Sequence, residues 1–159
     1  MEGFEIIQTN QLEEAIERDI FELWNNEYPE NISFPEPEYF NNYIYNLKNL
    51  KHFLIKDIQN YTYGWASTFE RENETWFMIL VSGQHQGKGI GKMILDTLKQ
   101  KESILNGWVI SHKHYRKLNG DKYISPINFY LKNDFEILNS EKLKSDKISA
   151  VKVRWIKKV

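Results

Sequence analysis

The chain has 159 residues, enough for one domain over 1–159 that buries about 70% of its unfolded surface. Lys and Arg number 21 against 22 Asp and Glu, so no basic field marks nucleic acid or an anionic membrane as a partner. Cysteine is absent, which excludes a disulfide framework, a thiolate nucleophile and a zinc knuckle.

The opening MEGFEIIQTNQLEE lacks the basic start and apolar centre of a signal peptide, and no apolar run is long enough to span a bilayer; a cytoplasmic protein is expected. Heavy use of Asn, Lys and Ile suggests an AT-rich bacterial genome. FEIIQT reads as a first strand, and Leu12, Ile16, Ile20, Leu23 and Trp24 recur at helical spacing before Pro29. After PENISFPEP, Pro37 opens a second helix with Phe40, Tyr43, Ile44 and Leu47 on one face. KHFLIKD, YTYGWASTFE and TWFMILVS follow as an antiparallel meander turning at IQN and RENE. From Ile90 the apolar residues Ile94, Leu95, Leu98 and Leu105 predict a helix of about four turns, with Asn106-Gly107 as its stop. GWVIS is the next strand, Ser125-Pro126 start a short helix through Lys132, and FEILNS and ISAVKVRWIKKV close the chain as strands. The expected fold is α+β, with element order β-α-α-β-β-β-α-β-α-β-β and a mixed, mostly antiparallel central sheet flanked by helices.

Between the fourth strand and the third helix stands QHQGKGIGK. Glycine weakens helix and strand alike, so its concentration at this junction points to a close approach to the main chain. A P-loop fails, because Ser82 stands at the first glycine and Gly89 replaces the hydroxyl residue after Gly87-Lys88. A dinucleotide fingerprint from Gly87 fails at Lys92 and lacks a βαβ unit. What remains is Gln86-x-x-Gly89-x-Gly91, bare amides at a helix N-terminus that suit a pyrophosphate.

In these residues the sequence resembles the GNAT superfamily of acetyl-CoA-dependent N-acetyltransferases, with Val81 five residues before Gln86 as in the family's fourth strand. The resemblance resumes at SPINFYLKNDFEIL, where Phe129, Tyr130, Lys132 and Phe135 match the family segment A-x-x-[LF]-Y-x-K-x-G-F. Pro126 replaces its alanine, and Asp134, a residue that tolerates a left-handed backbone, replaces its glycine.

The resemblance implies an N-acetyltransferase that moves an acetyl group from acetyl-CoA to a primary amine by direct attack on the thioester. The alternative is a non-catalytic module that binds or senses acyl-CoA, with the same glycine turn. By the family's pattern the pyrophosphate lies on Gln86, Gly87, Lys88, Gly89, Ile90, Gly91 and Lys92, and pantetheine pairs with Ile79, Leu80 and Val81. An amide near Leu80 is the expected oxyanion donor. Tyr130 is the expected proton donor to the departing thiolate. Glu27, Glu74, His112 and His114 are all conceivable bases, and no metal is expected. The segment NNEYPENISFPEPEYF, with Glu27 and Glu30 on the acceptor side, suggests a cationic acceptor such as a polyamine. The long basic connection SHKHYRKLNGDKYIS could border the same groove and favour acidic acceptors instead. Nucleic acid and membrane are not expected as partners, and either a monomer or a homodimer is compatible with the sequence.

Overall fold

In the computed structural model, which describes residues 3–159, the alternating segment Phe4–Thr9 forms β1 and the first helical pattern forms α1 (Glu14–Glu27). Tyr28 is extended (φ −88°, ψ 164°), as the residue before a proline prefers, and this stops α1. A single turn at Glu30–Ile32 leads to α2 (Pro37–Tyr45), whose proline occupies the first turn. The meander is β2 (Lys48–Asp57), β3 (Thr62–Arg71) and β4 (Glu74–Val81). A second single turn, Gly83–His85, precedes α3 (Ile90–Lys101). Then come β5 (Ile104–Val109), α4 (Ile127–Lys132), β6 (Glu136–Lys144) and β7 (Ser149–Ile156).

The strands make one seven-stranded sheet in the order β1-β2-β3-β4-β5-β7-β6. Every pairing is antiparallel except that of β4 with β5. Period-two alternation sends Phe53, Ile55, Ala66 and Phe77 to one face, where they meet Ile90, Ile94, Leu95 and Leu98 of α3 and Tyr130 of α4. Leu54, Trp65 and Leu80 go to the other face, against Ile20 and Trp24 of α1 and Phe40 and Ile44 of α2. Helices thus cover both faces, and the expected fold class and element order match the structure.

One expectation at residues 105–107 is corrected. The third helix ends at Lys101, and Leu105, Asn106 and Gly107 belong to β5 rather than to a helix stop. Gly107 is bare because a Cβ there would stand 3.0 Å from the Phe77 ring, a packing requirement that a single sequence does not display. The buried Leu105 follows the helical spacing of α3 only by coincidence.

Candidate active site

The parallel pair at the centre of the sheet is barely a pair. β4 and β5 are in ladder register only at Trp76 and Asn106 among the described residues, and beyond that point the C-terminal half of β4 has no ladder partner among them on its β5 side. On its other side β4 stays in regular register with β3 to Val81. Ser82 N donates to Tyr63 O at 2.9 Å, so the hydrogen-bonded pairs of this ladder include Trp65 with Leu80. The amide of Leu80 therefore points at β3, and those of Ile79 and Val81 point into the opening. Leu80 N–H is thus committed to the ladder, and its neighbours Ile79 and Val81 carry the main-chain groups on the open side. Consistently, the Val81 carbonyl leaves the sheet and accepts from Gln86 Nε2 at 2.9 Å.

The glycine turn follows directly. Gly87 (φ 77°) and Gly89 (φ 83°) are left-handed, a conformation that costs other residues about 1–2 kcal/mol. Gly91 is bare for another reason: a Cβ would lie 3.2 Å from the Phe129 ring, where α3 packs on α4. None of the amides from Gln86 to Lys92 donates a hydrogen bond among the described residues, so a row of N–H groups faces outward at the positive end of α3. Lys88 is exposed, and Lys92 is paired with Asp96 one turn on at 2.7 Å.

Glu27 does something other than line an acceptor groove. One carboxylate oxygen accepts from Gly83 N at 2.9 Å, and the other accepts from Lys117 Nζ at 3.1 Å and from Gln86 Nε2 at 3.4 Å. Its charge is spent on fastening α1 to the approach of the glycine turn and to the long connection. Glu30 is exposed and receives its own tie from that connection, Glu30 N to Arg116 O at 2.8 Å. The acidic segment thus sends no carboxylate into the opening.

What fills the region between the splayed strands is a cavity of about 370 Å³, within the usual range of about 300–1,000 Å³ for small-molecule sites. Its wall is largely aromatic, with Trp24, Tyr28, Tyr43, Trp108, Tyr123 and Tyr130 contributing. Ile79 lies on the same wall, so the free edge of β4 opens into it. Tyr130 is buried among Phe77 (ring centroids 5.7 Å) and Phe135 (5.3 Å). Burial, reinforced by nearby Tyr123, pushes its phenol well above the ordinary tyrosine range. Tyr130 is therefore protonated at neutral pH and presents an O–H donor to the cavity. Burial likewise raises Tyr28 and lifts Tyr123 to about 12.

The turn that presents Tyr130 survives its substituted positions. Ser125 Oγ accepts from Ile127 N at 3.2 Å at the start of α4, and Asp134 adopts the left-handed conformation (φ 69°) at its end. The connection after β5 folds back through an Arg116–Lys122 bridge, which brings Tyr123 to the cavity.

None of the expected bases lines the cavity. Glu74 is held by Arg154 at 2.7 Å and by Asn106 at 3.2 Å. His112 and His114 lie face to face in the connection (ring centroids 4.8 Å, 31° between planes), and the His112 ring nitrogen accepts the His114 amide. Among the described residues no cluster of three or more metal-ligating side chains occurs. Sequence reasoning missed Arg71, Trp108 and Tyr123 as wall residues; they come from the meander hairpin, β5 and the connection, and only the strand order brings them together.

Residues 49–137, more than half of the chain, match the family of acetyltransferase (GNAT) domains. No curated protein matches the chain in sequence. Among solved structures it is similar to a phosphinothricin acetyltransferase of Sinorhizobium meliloti in complex with acetyl-CoA, at 13% identity and a TM-score of 0.63 over 95% of this chain and 88% of that one. A spermidine/spermine N-acetyltransferase of Vibrio cholerae shares 14% identity at a TM-score of 0.62, over 97% and 92% of the two chains. A protein of Salmonella typhimurium solved with its cofactor acetyl-CoA shares 12% identity at a TM-score of 0.63, over 96% and 94%.

Proposed function

The chain belongs to the GNAT acetyltransferase family, and on that premise we propose that it acts as a single-domain enzyme transferring an acetyl group from acetyl-CoA to a primary amine of a small molecule. The observation that carries this reading is the free edge of β4 between an amide-lined helix start and the buried Tyr130.

In this reading the pyrophosphate of acetyl-CoA rests on the amides of the 86–92 turn, and its pantetheine arm runs along Ile79 and Val81 in place of the missing β5 partner. The amine nitrogen attacks the thioester carbon, and the carbonyl oxygen gains charge that an amide of Ile79 or Val81 stabilises. The carbon–sulfur bond then breaks, and the sulfur takes the phenolic proton of Tyr130, which regains one through water from the proton the amine releases. The amine must shed its own protons. With no carboxylate or imidazole on the cavity wall, they leave through water.

The test is CoA release with a panel of amines, using the wild type and Tyr130→Phe. Loss of about 10²–10⁴ in turnover with acetyl-CoA affinity kept supports the assignment. Full acetyl-CoA binding with no transfer to any amine would instead favour an acyl-CoA-binding module.

A further inference from the structure

The cavity wall carries charge of one sign only. Among its lining residues are two cations, Arg71 and Lys147, and no Asp or Glu. Neither cation forms an ion pair among the described residues. Glu74, the register partner of Arg71 across the β3–β4 hairpin, has its carboxylate taken by Arg154.

Arg71 is also held as a binding residue needs to be. Its guanidinium carbon sits 5.1 Å from the Phe69 ring centroid and 5.0 Å from that of Trp76, so both rings steady the planar group. It lies close enough to Tyr43 to offset part of the rise that burial imposes on that phenol. Stacking on the rings leaves N–H groups of the guanidinium beyond the one turned to Tyr43, and that edge matches the two oxygens of a carboxylate or related oxyacid. Lys147 is exposed at the rim and adds positive potential without fixing geometry.

We propose, building on the transferase reading, that the acceptor is an amine with a flat apolar body and an acidic group, and that Arg71 receives the acid. Spacing narrows the class. From Trp76, which supports Arg71, to Ile79 is three residues of strand, about 10 Å at roughly 3.3 Å per residue. The acid and the reacting amine are therefore separated by at least the length of an aromatic ring. An α-amino group beside its own carboxylate is too close to span the two ends. This replaces the cationic acceptor expected from the acidic segment, whose Glu27 is neutralised by Lys117 and whose Glu30 lies outside the cavity.

Three probes of one shape test the idea: para-(aminomethyl)benzoate, para-methylbenzylamine and para-xylylenediamine, which differ in charge at the far end. The expected kcat/KM for the benzoate exceeds that of the methyl compound by about ten- to a hundredfold, as a charge-assisted bond allows. In Arg71→Gln that ratio falls to within a few-fold of unity while acetyl-CoA affinity holds, and Arg71→Lys keeps part of it. Preference for the diamine, or a ratio that survives Arg71→Gln, overturns the proposal. Binding without turnover is read separately: the benzoate raises the melting temperature of the wild type and not that of Arg71→Gln. A chain that binds the benzoate through Arg71 and ignores acetyl-CoA would sink the transferase reading alone, whereas one that binds acetyl-CoA and shows no Arg71-dependent benzoate binding would sink this one alone.

Discussion

Replacing Glu27 by alanine should loosen three segments at once. The carboxylate is largely enclosed, with 12% of its side chain exposed and 20% of that of Lys117. Its removal orphans the Gly83 amide, the Lys117 ammonium and one bond of Gln86. The Lys117 donor is partly buried, and leaving such a donor unsatisfied costs about 1–3 kcal/mol, whereas water recovers the exposed Gly83 amide, so about 2 kcal/mol is expected in all. For a chain of this size that corresponds to a fall of about 4–8 °C in Tm. Glu27→Gln keeps an acceptor for Gly83 and loses the ion pair, so its fall should be less than half as large. Because Glu27 braces the approach to the glycine turn, acetyl-CoA affinity should weaken alongside stability in Glu27→Ala. Differential scanning fluorimetry with and without acetyl-CoA measures both. Wild-type melting in Glu27→Ala, or equal losses in the two variants, would refute the staple and return Glu27 to the acceptor side.

Other outcomes follow from the same geometry. His52 is fully buried and accepts the indole proton of Trp65 at 3.0 Å; burial lowers it to about 4 against an ordinary 6.5. Its unfolded form binds the proton first, so stability is complete above pH 6.5 and drains away as pH falls toward 4, by up to about 3 kcal/mol, a slope that urea titrations should find reduced in His52→Gln. Gly89→Val should cost stability by about 1–2 kcal/mol for its left-handed backbone and should also crowd the amide row, so acetyl-CoA affinity should drop by more than the stability loss explains, as calorimetry can show. With no base on the cavity wall, the apparent pKa of kcat/KM should track that of the acceptor amine across acceptors; a single pKa common to all acceptors would point to a protein base.

The order of elements was legible because most segments carry one clean period: alternation in FEIIQT, helical spacing from Leu12 to Trp24, and turn residues between meander strands. The glycine turn was legible because Gly87 and Gly89 are required by backbone conformation, which sequence displays directly. What was not legible depends on partners far along the chain. Gly107 is bare to admit Phe77, Leu80 faces β3 through a register fixed by the hairpin, and Glu27 finds its cation at Lys117. Arg71 looked like any residue of a polar turn until the strand order set it on the cavity wall.

The central claim is that the amides of residues 86–92 and the free edge of β4 hold acetyl-CoA, and the direct measurement is a calorimetric titration of acetyl-CoA into the wild-type chain and into Gly89→Val. The account predicts saturable binding at one site per chain, with affinity falling at least tenfold in the variant. No binding to the wild type, or equal binding to a folded Gly89→Val, would contradict it.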